Sequence, residues 1–147
     1  MNREVVILVA DDDAGHVRLI EKNLRRAALS NRIERFEDGQ EVLDFLFRRG
    51  DRVRERDTPY LLLLDIRMPK VDGVGVLNQL KQDPELRKIP VIMLTTTDDP
   101  REVERCHALG CSNYIVKPVH YEQFAGAISK LGSFIDLIRV TELERVA

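Results

Sequence analysis

Four short apolar runs, each ending on a polar residue, set the pattern of this chain. Val5 to Ala10 is followed at once by Asp11, Asp12 and Asp13; Tyr60 to Leu64 is followed by Asp65. Pro90 to Leu94 leads into Thr95, Thr96 and Thr97, and the shorter run Tyr114 to Val116 leads into Lys117 and Pro118. Runs of this length predict strands buried on both faces, which is how strands of a parallel sheet read. Arg32 to Phe36 is more polar and alternates, so it predicts a fifth strand at an edge.

Between these runs the apolar positions recur at helical spacing: Val17, Ile20, Leu24 and Ala27; Val42, Leu43 and Leu46; Leu77 and Leu80; Val103, Cys106 and Leu109. A last helix, from about Tyr121 to about Ile138, carries Tyr121, Phe124, Ala125, Ile128, Leu131, Ile135 and Ile138. Gly110 suits a helix C-terminal cap, and Gly39 and Gly73 suit turns before helices. Five strands alternating with five helices predict a doubly wound α/β fold with a five-stranded parallel sheet. Right-handed crossovers leave a short list of strand orders.

Length and composition narrow the picture. The 147 residues suffice for one domain with a core, so residues 1–147 are expected to form a single domain with a C-terminal tail over about 133–147. The formal net charge of -2, from 23 basic and 25 acidic residues, gives no reason to expect nucleic acid or an anionic membrane as partner. No apolar run approaches the roughly 20 residues that span a bilayer. The first strand starts so early that no signal peptide fits before it, and Cys106 and Cys111 make no disulfide framework, so a cytoplasmic location is expected.

In a sheet of this kind ligands bind beyond the carboxyl ends of the strands. Those ends deliver Asp11, Asp12 and Asp13 from strand 1, Asp65 from strand 3, Thr95 from strand 4 and Lys117 from strand 5. Carboxylates crowded together repel unless a cation joins them, and a few oxygen ligands suit Mg²⁺. Lys117 and the Thr95 hydroxyl would supply a positive charge and a donor for a phosphoryl group, whose transfer relies on positioning and charge neutralisation. The set is a kit for accepting a phosphoryl group.

Val9-Ala10-Asp11-Asp12, Leu64-Asp65-Ile66-Arg67-Met68-Pro69, Asp72-Gly73, Leu94-Thr95-Thr96 and Tyr114-Ile115-Val116-Lys117-Pro118, in this order and spacing, resemble the receiver domains of two-component response regulators. The resemblance covers nearly the whole chain. It implies the flavodoxin-like strand order 2-1-3-4-5, Asp65 as phosphoacceptor, and Mg²⁺ held by Asp11, Asp12, Asp65 and the Arg67 carbonyl, with Asp12 the more direct ligand. It also implies Thr95 as the switch hydroxyl, Tyr114 as its aromatic partner, Lys117 as the phosphate-binding lysine and a cis bond before Pro118. The partner it implies is a sensor histidine kinase, with phosphodonors as the one class of small substrate. The long segment from Arg48 to Pro59 and the continuation through Phe134 to Thr141 are similar to the small regulators that partner bacterial phytochromes. No effector domain is expected after Arg139, which makes signalling depend on protein contacts. Phe134, Leu137 and Val140 fall outside the last helix's core stripe, and a homodimer that covers them is expected.

Plainer readings stand beside these. Asp13 suits an N-cap, Tyr114 a core aromatic, and the arginines at 48, 49, 52, 54 and 56 a solvated loop. His16, His107 and His120 have no metal-ligand spacing. A dehalogenase-type phosphatase would use Asp11 as nucleophile, but Ala14-Gly15 departs from its pattern. A flavodoxin-type flavin binder would place its phosphate where three aspartates stand, and they would repel it.

Overall fold

The computed structural model describes residues 5–26, 28–95 and 99–116. The elements in chain order are β1 (Val6–Ala10), α1 (Ala14–Arg26), β2 (Ile33–Phe36), α2 (Gly39–Leu46), β3 (Tyr60–Asp65), α3 (Gly73–Gln82), a 3₁₀ turn (Leu86–Lys88), β4 (Val91–Thr95), α4 (Pro100–Ala108) and β5 (Asn113–Val116). The five strands form one parallel sheet in the order β2-β1-β3-β4-β5, the order the resemblance implies. The last predicted helix and the tail lie outside the described residues.

The buried runs form central strands because both of their faces are covered. Val5, Ile7 and Val9 of the first run pack with Leu61, Leu63, Ile92 and Leu94 against Val17, Ile20 and Leu24 of α1. Val6, Leu8 and Ala10 pack with Leu62, Leu64, Val91 and Met93 against α2, α3 and Cys106 of α4. Alternate residues thus enter opposite cores, as the period of a strand requires. The edge strand β2 buries only Phe36.

Asn31 bridges the start of this arrangement: its side-chain amide donates to the Val5 carbonyl at 2.8 Å. Gly110 does cap α4. Its φ is +94°, its N–H donates to His107 O, and Cys111 N–H donates to Cys106 O, a Schellman pattern. Ala28 fills the equivalent place after α1 with φ +62°, and Arg48 after α2 with φ +58°.

Two expectations change. Gly39 and Gly73 are not in turns; each is the first residue of its helix and packs directly on backbone. A β-carbon at Gly39 would overlap the Val71 carbonyl, and one at Gly73 the Asp65 carbonyl. The arginine-rich segment is not simply solvated either. The Arg52 guanidinium lies 4.2 Å from the Phe36 ring centroid and donates to Arg35 O at 2.9 Å. Arg54 donates to Leu46 O at 2.8 Å with its side chain 12% exposed. Planar guanidinium groups can stack on rings and donate to carbonyls at once, so these two strap the loop to the edge of the sheet.

Candidate functional site

The strand register sets the site. β1, β3 and β4 run parallel with Ala10 beside Leu64 and Asp65 beside Leu94, so the residues after β1 and at the end of β3 leave the sheet at the same edge. Asp11, Asp12 and Asp65 each offer a carboxylate oxygen there, all within 4.8 Å of one another. Opposite ligands of one octahedral Mg²⁺ stand about 4 Å apart, so this spacing needs little movement to hold the ion. Asp11 is wholly buried and Asp65 is 6% exposed, whereas Asp12 is exposed. Burying carboxylates together in this way is costly unless a cation or donors compensate.

Donors hold Asp11 in place. Its Oδ1 accepts from Asp13 N–H at 2.9 Å, and its own backbone N–H donates to Phe36 O. Arg35 Nη2 donates to the Asp11 carbonyl at 3.3 Å. The His16 ring lies across the first turn of α1, with Nδ1 3.7 Å from Asp11 Oδ2 and Nε2 3.8 Å from Asp13 Oδ2. Asp13 caps α1, its Oδ1 accepting from Gly15 and His16 N–H. Sequence reasoning left His16 and Arg35 aside. The signal for His16 was its place three residues after the cap, which turns its ring back toward the acidic run.

The loop between β3 and α3 is tightly built. Gly73 N–H donates to Ile66 O at 2.7 Å, and Asp72 caps α3 by accepting from Gly75 N–H at 2.7 Å. Lys70, at φ +67°, centres a γ-turn closed by Val71 N–H to Pro69 O at 2.8 Å. The loop carries Arg67, and Arg67 and Asp12 line one open cleft of about 470 Å³. α4 supplies Glu102 and Arg105 to the lining of the same cleft. Neither stood out in sequence, because α4 reads as a polar helix with one buried position.

Tyr114, half-buried on β5, pairs with Met93 and packs on the core cluster that α2 and α3 cover. The backbone of Thr95 ends β4 beside Val116. Lys117, Thr96 and Thr97 lie outside the described residues, as does the bond before Pro118. Burial pushes the Cys106 thiol up to about 11, with Cys111 and Glu102 adding to it, and burial also raises Cys111. These are core thiols.

Among the described residues no helix is long and apolar enough to cross a membrane. Comparison with known proteins identifies the family. A crystal structure of a receiver domain from Rhodospirillum rubrum is 47% identical, with a TM-score of 0.75, and the match covers 90% of this chain and 94% of that one. The bacteriophytochrome response regulator RtBRR is 42% identical with a TM-score of 0.75, over 86% of this chain and 77% of its own. Response regulator Rcp1 from Synechocystis is 30% identical over 90% of both chains, and its Mn²⁺-bound crystal structure aligns with a TM-score of 0.74, covering 88% of this chain and 92% of that one. Residues 7–129 match the family described as the response regulator receiver domain, and the chain belongs to that family.

Proposed function

We propose that this chain is a phosphorylation-controlled regulator that accepts a phosphoryl group from the phosphohistidine of a sensor histidine kinase onto Asp65. The observation that carries the reading is the convergence of Asp11, Asp12 and Asp65 within 4.8 Å at the carboxyl edge of the sheet. A divalent cation bound by these carboxylates and the Arg67 carbonyl, Mg²⁺ by the chemistry of the donor set, would neutralise charge on Asp65 and the incoming group.

The chain's own residues then have distinct tasks. The Asp65 carboxylate attacks phosphorus; the phosphorus–nitrogen bond of the donor breaks, and the imidazole leaves with the electron pair and takes a proton. Asp11, fixed by Asp13 N–H and flanked by His16, keeps its orientation and serves the cation rather than attacking. That arrangement favours the receiver reading over a dehalogenase-type phosphatase. Lys117 and the Thr95 hydroxyl receive the phosphoryl oxygens, and Thr95 with Tyr114 passes the change to the surface of β4 and β5. The output is protein contact, and the setting is the cytoplasm.

Likeness to the bacteriophytochrome response regulator RtBRR supports a phytochrome-type kinase as the donor. Phosphotransfer from purified phosphorylated kinases of the same organism tests this. Transfer within seconds to the wild type, with none to Asp65→Asn, is expected; equal labelling of both rejects the assignment. The homodimer expected from the tail rests on residues outside those described. Light scattering on the intact chain and on one ending at Gly132 tests it, with loss of the dimer on truncation as the expected result.

A further inference from the structure

The cleft beside Asp12 contains a polar group that the acceptor chemistry does not use. Glu102 lines the cleft, and its Oε1 is buried with no hydrogen-bond partner among the described residues. A desolvated carboxylate oxygen without a donor is unfavourable, so such a group in a folded protein calls for an explanation. Two cations line the same cleft. Arg67 stands on the β3–α3 loop, and Arg105 lies three residues along α4 from Glu102. Among the described residues neither guanidinium makes an ion pair.

The walls of the cleft differ in how firmly they are held. The Arg67 loop is pinned by the Gly73 and Asp72 hydrogen bonds and by Gly39 against Val71. By contrast α4 buries only Cys106 among its nine residues. A short shift of α4 is therefore easier than a shift of the loop.

We propose that Glu102 is a positioning residue that takes the Arg67 guanidinium across the cleft once Asp65 is phosphorylated, closing the cleft over Asp12 and slowing attack of water on the acyl phosphate. The proposal rests on the acceptor reading given above. Both residues line the same cleft, and one oxygen of Glu102 is already out of solvent. A guanidinium, which donates through a planar fork and is weakly hydrated, suits that buried oxygen better than an ammonium would. Arg105 is the less suitable partner: pairing within α4 would satisfy Glu102 without drawing the helix toward the loop.

The test is a double-mutant cycle on the lifetime of the phosphorylated chain. Wild type, Glu102→Gln, Arg67→Gln, the double variant and the exchange Glu102→Arg with Arg67→Glu are each labelled with acetyl phosphate and Mg²⁺, and decay is followed after donor removal. Each single variant is expected to shorten the lifetime about fivefold, the size of losing one modest ion pair. The double variant should lose no more than either single one, the exchange should recover most of the wild-type lifetime, and Arg105→Gln should leave it unchanged. Additive losses with no recovery in the exchange variant overturn the pair, and a loss shared by Glu102→Gln and Arg105→Gln but absent from Arg67→Gln assigns Glu102 to Arg105 instead. A wild type that takes no label overturns the acceptor reading and this inference with it, whereas normal labelling with additive decay overturns the inference alone.

Discussion

Gly73 presses its α-carbon against the carbonyl of Asp65, so closely that a β-carbon there would overlap it. The contact ties the first turn of α3 to the residue that the proposed chemistry modifies. Gly73→Ala must push α3 away or bend the end of β3. We expect a loss of about 2 kcal/mol in urea unfolding, within the range for forcing atoms into a packed site. Mg²⁺ affinity measured by calorimetry should fall with it, because the loop that carries Arg67 moves. Unchanged stability would show that the loop has slack the structure does not display.

Ala28 offers the opposite experiment. It holds φ +62° at the end of α1, where its N–H donates to Arg25 O, and its side chain is exposed. Ala28→Gly relieves the left-handed strain at some cost in unfolded-state entropy, and a net gain of about 0.5–1 kcal/mol is expected. Denaturant midpoints with unchanged slope would report it.

Crowding at the carboxylate cluster makes a signed prediction for Asp12→Ala. Without metal the variant should melt about 3 °C higher, the shift that roughly 1 kcal/mol of relieved repulsion produces in a chain of this size. Added Mg²⁺ should raise the wild type's melting temperature and leave the variant nearly unmoved. A variant that keeps the full Mg²⁺ response would remove Asp12 from the ligand set.

Alkaline pH should weaken the fold through its thiols. The Cys106 pKa rises from 9.0 unfolded to about 11 folded, because burial disfavours the thiolate. A group raised in the folded state stabilises fully below its unfolded pKa, and that contribution is lost as pH climbs from about 9 to about 11. Cys111 and Tyr60 are raised by burial and act in the same direction. Melting curves across this window should fall steadily, and Cys106→Ala should flatten part of the slope. The thiol should also resist alkylation at pH 8 until the chain unfolds.

What the sequence displayed and what it hid divide along physical lines. The central strands were legible because burial on both faces writes an unbroken apolar run, and the carboxylates stood out because each followed such a run. Asp13 was legible as a cap because it directly precedes the helix that it caps. Gly39 was misplaced in a turn because close backbone approach, here to Val71, leaves no mark beyond the glycine itself. Arg52 and Arg54 read as solvated because charge conceals what a guanidinium can do against a ring or a carbonyl. Glu102 was invisible for a third reason: its significance depends on a cleft shared with Arg67, 35 positions earlier in the chain.

The most direct test of the account is to find which aspartate carries the phosphoryl group. The chain is incubated with acetyl phosphate with and without Mg²⁺, digested at low pH, and mapped by mass spectrometry. The account predicts one phosphoryl group, dependent on Mg²⁺, on the peptide that contains Asp65, and none in the Asp65→Asn chain. A phosphoryl group on Asp11, or labelling of Asp65 that persists undiminished in chelator, would contradict it.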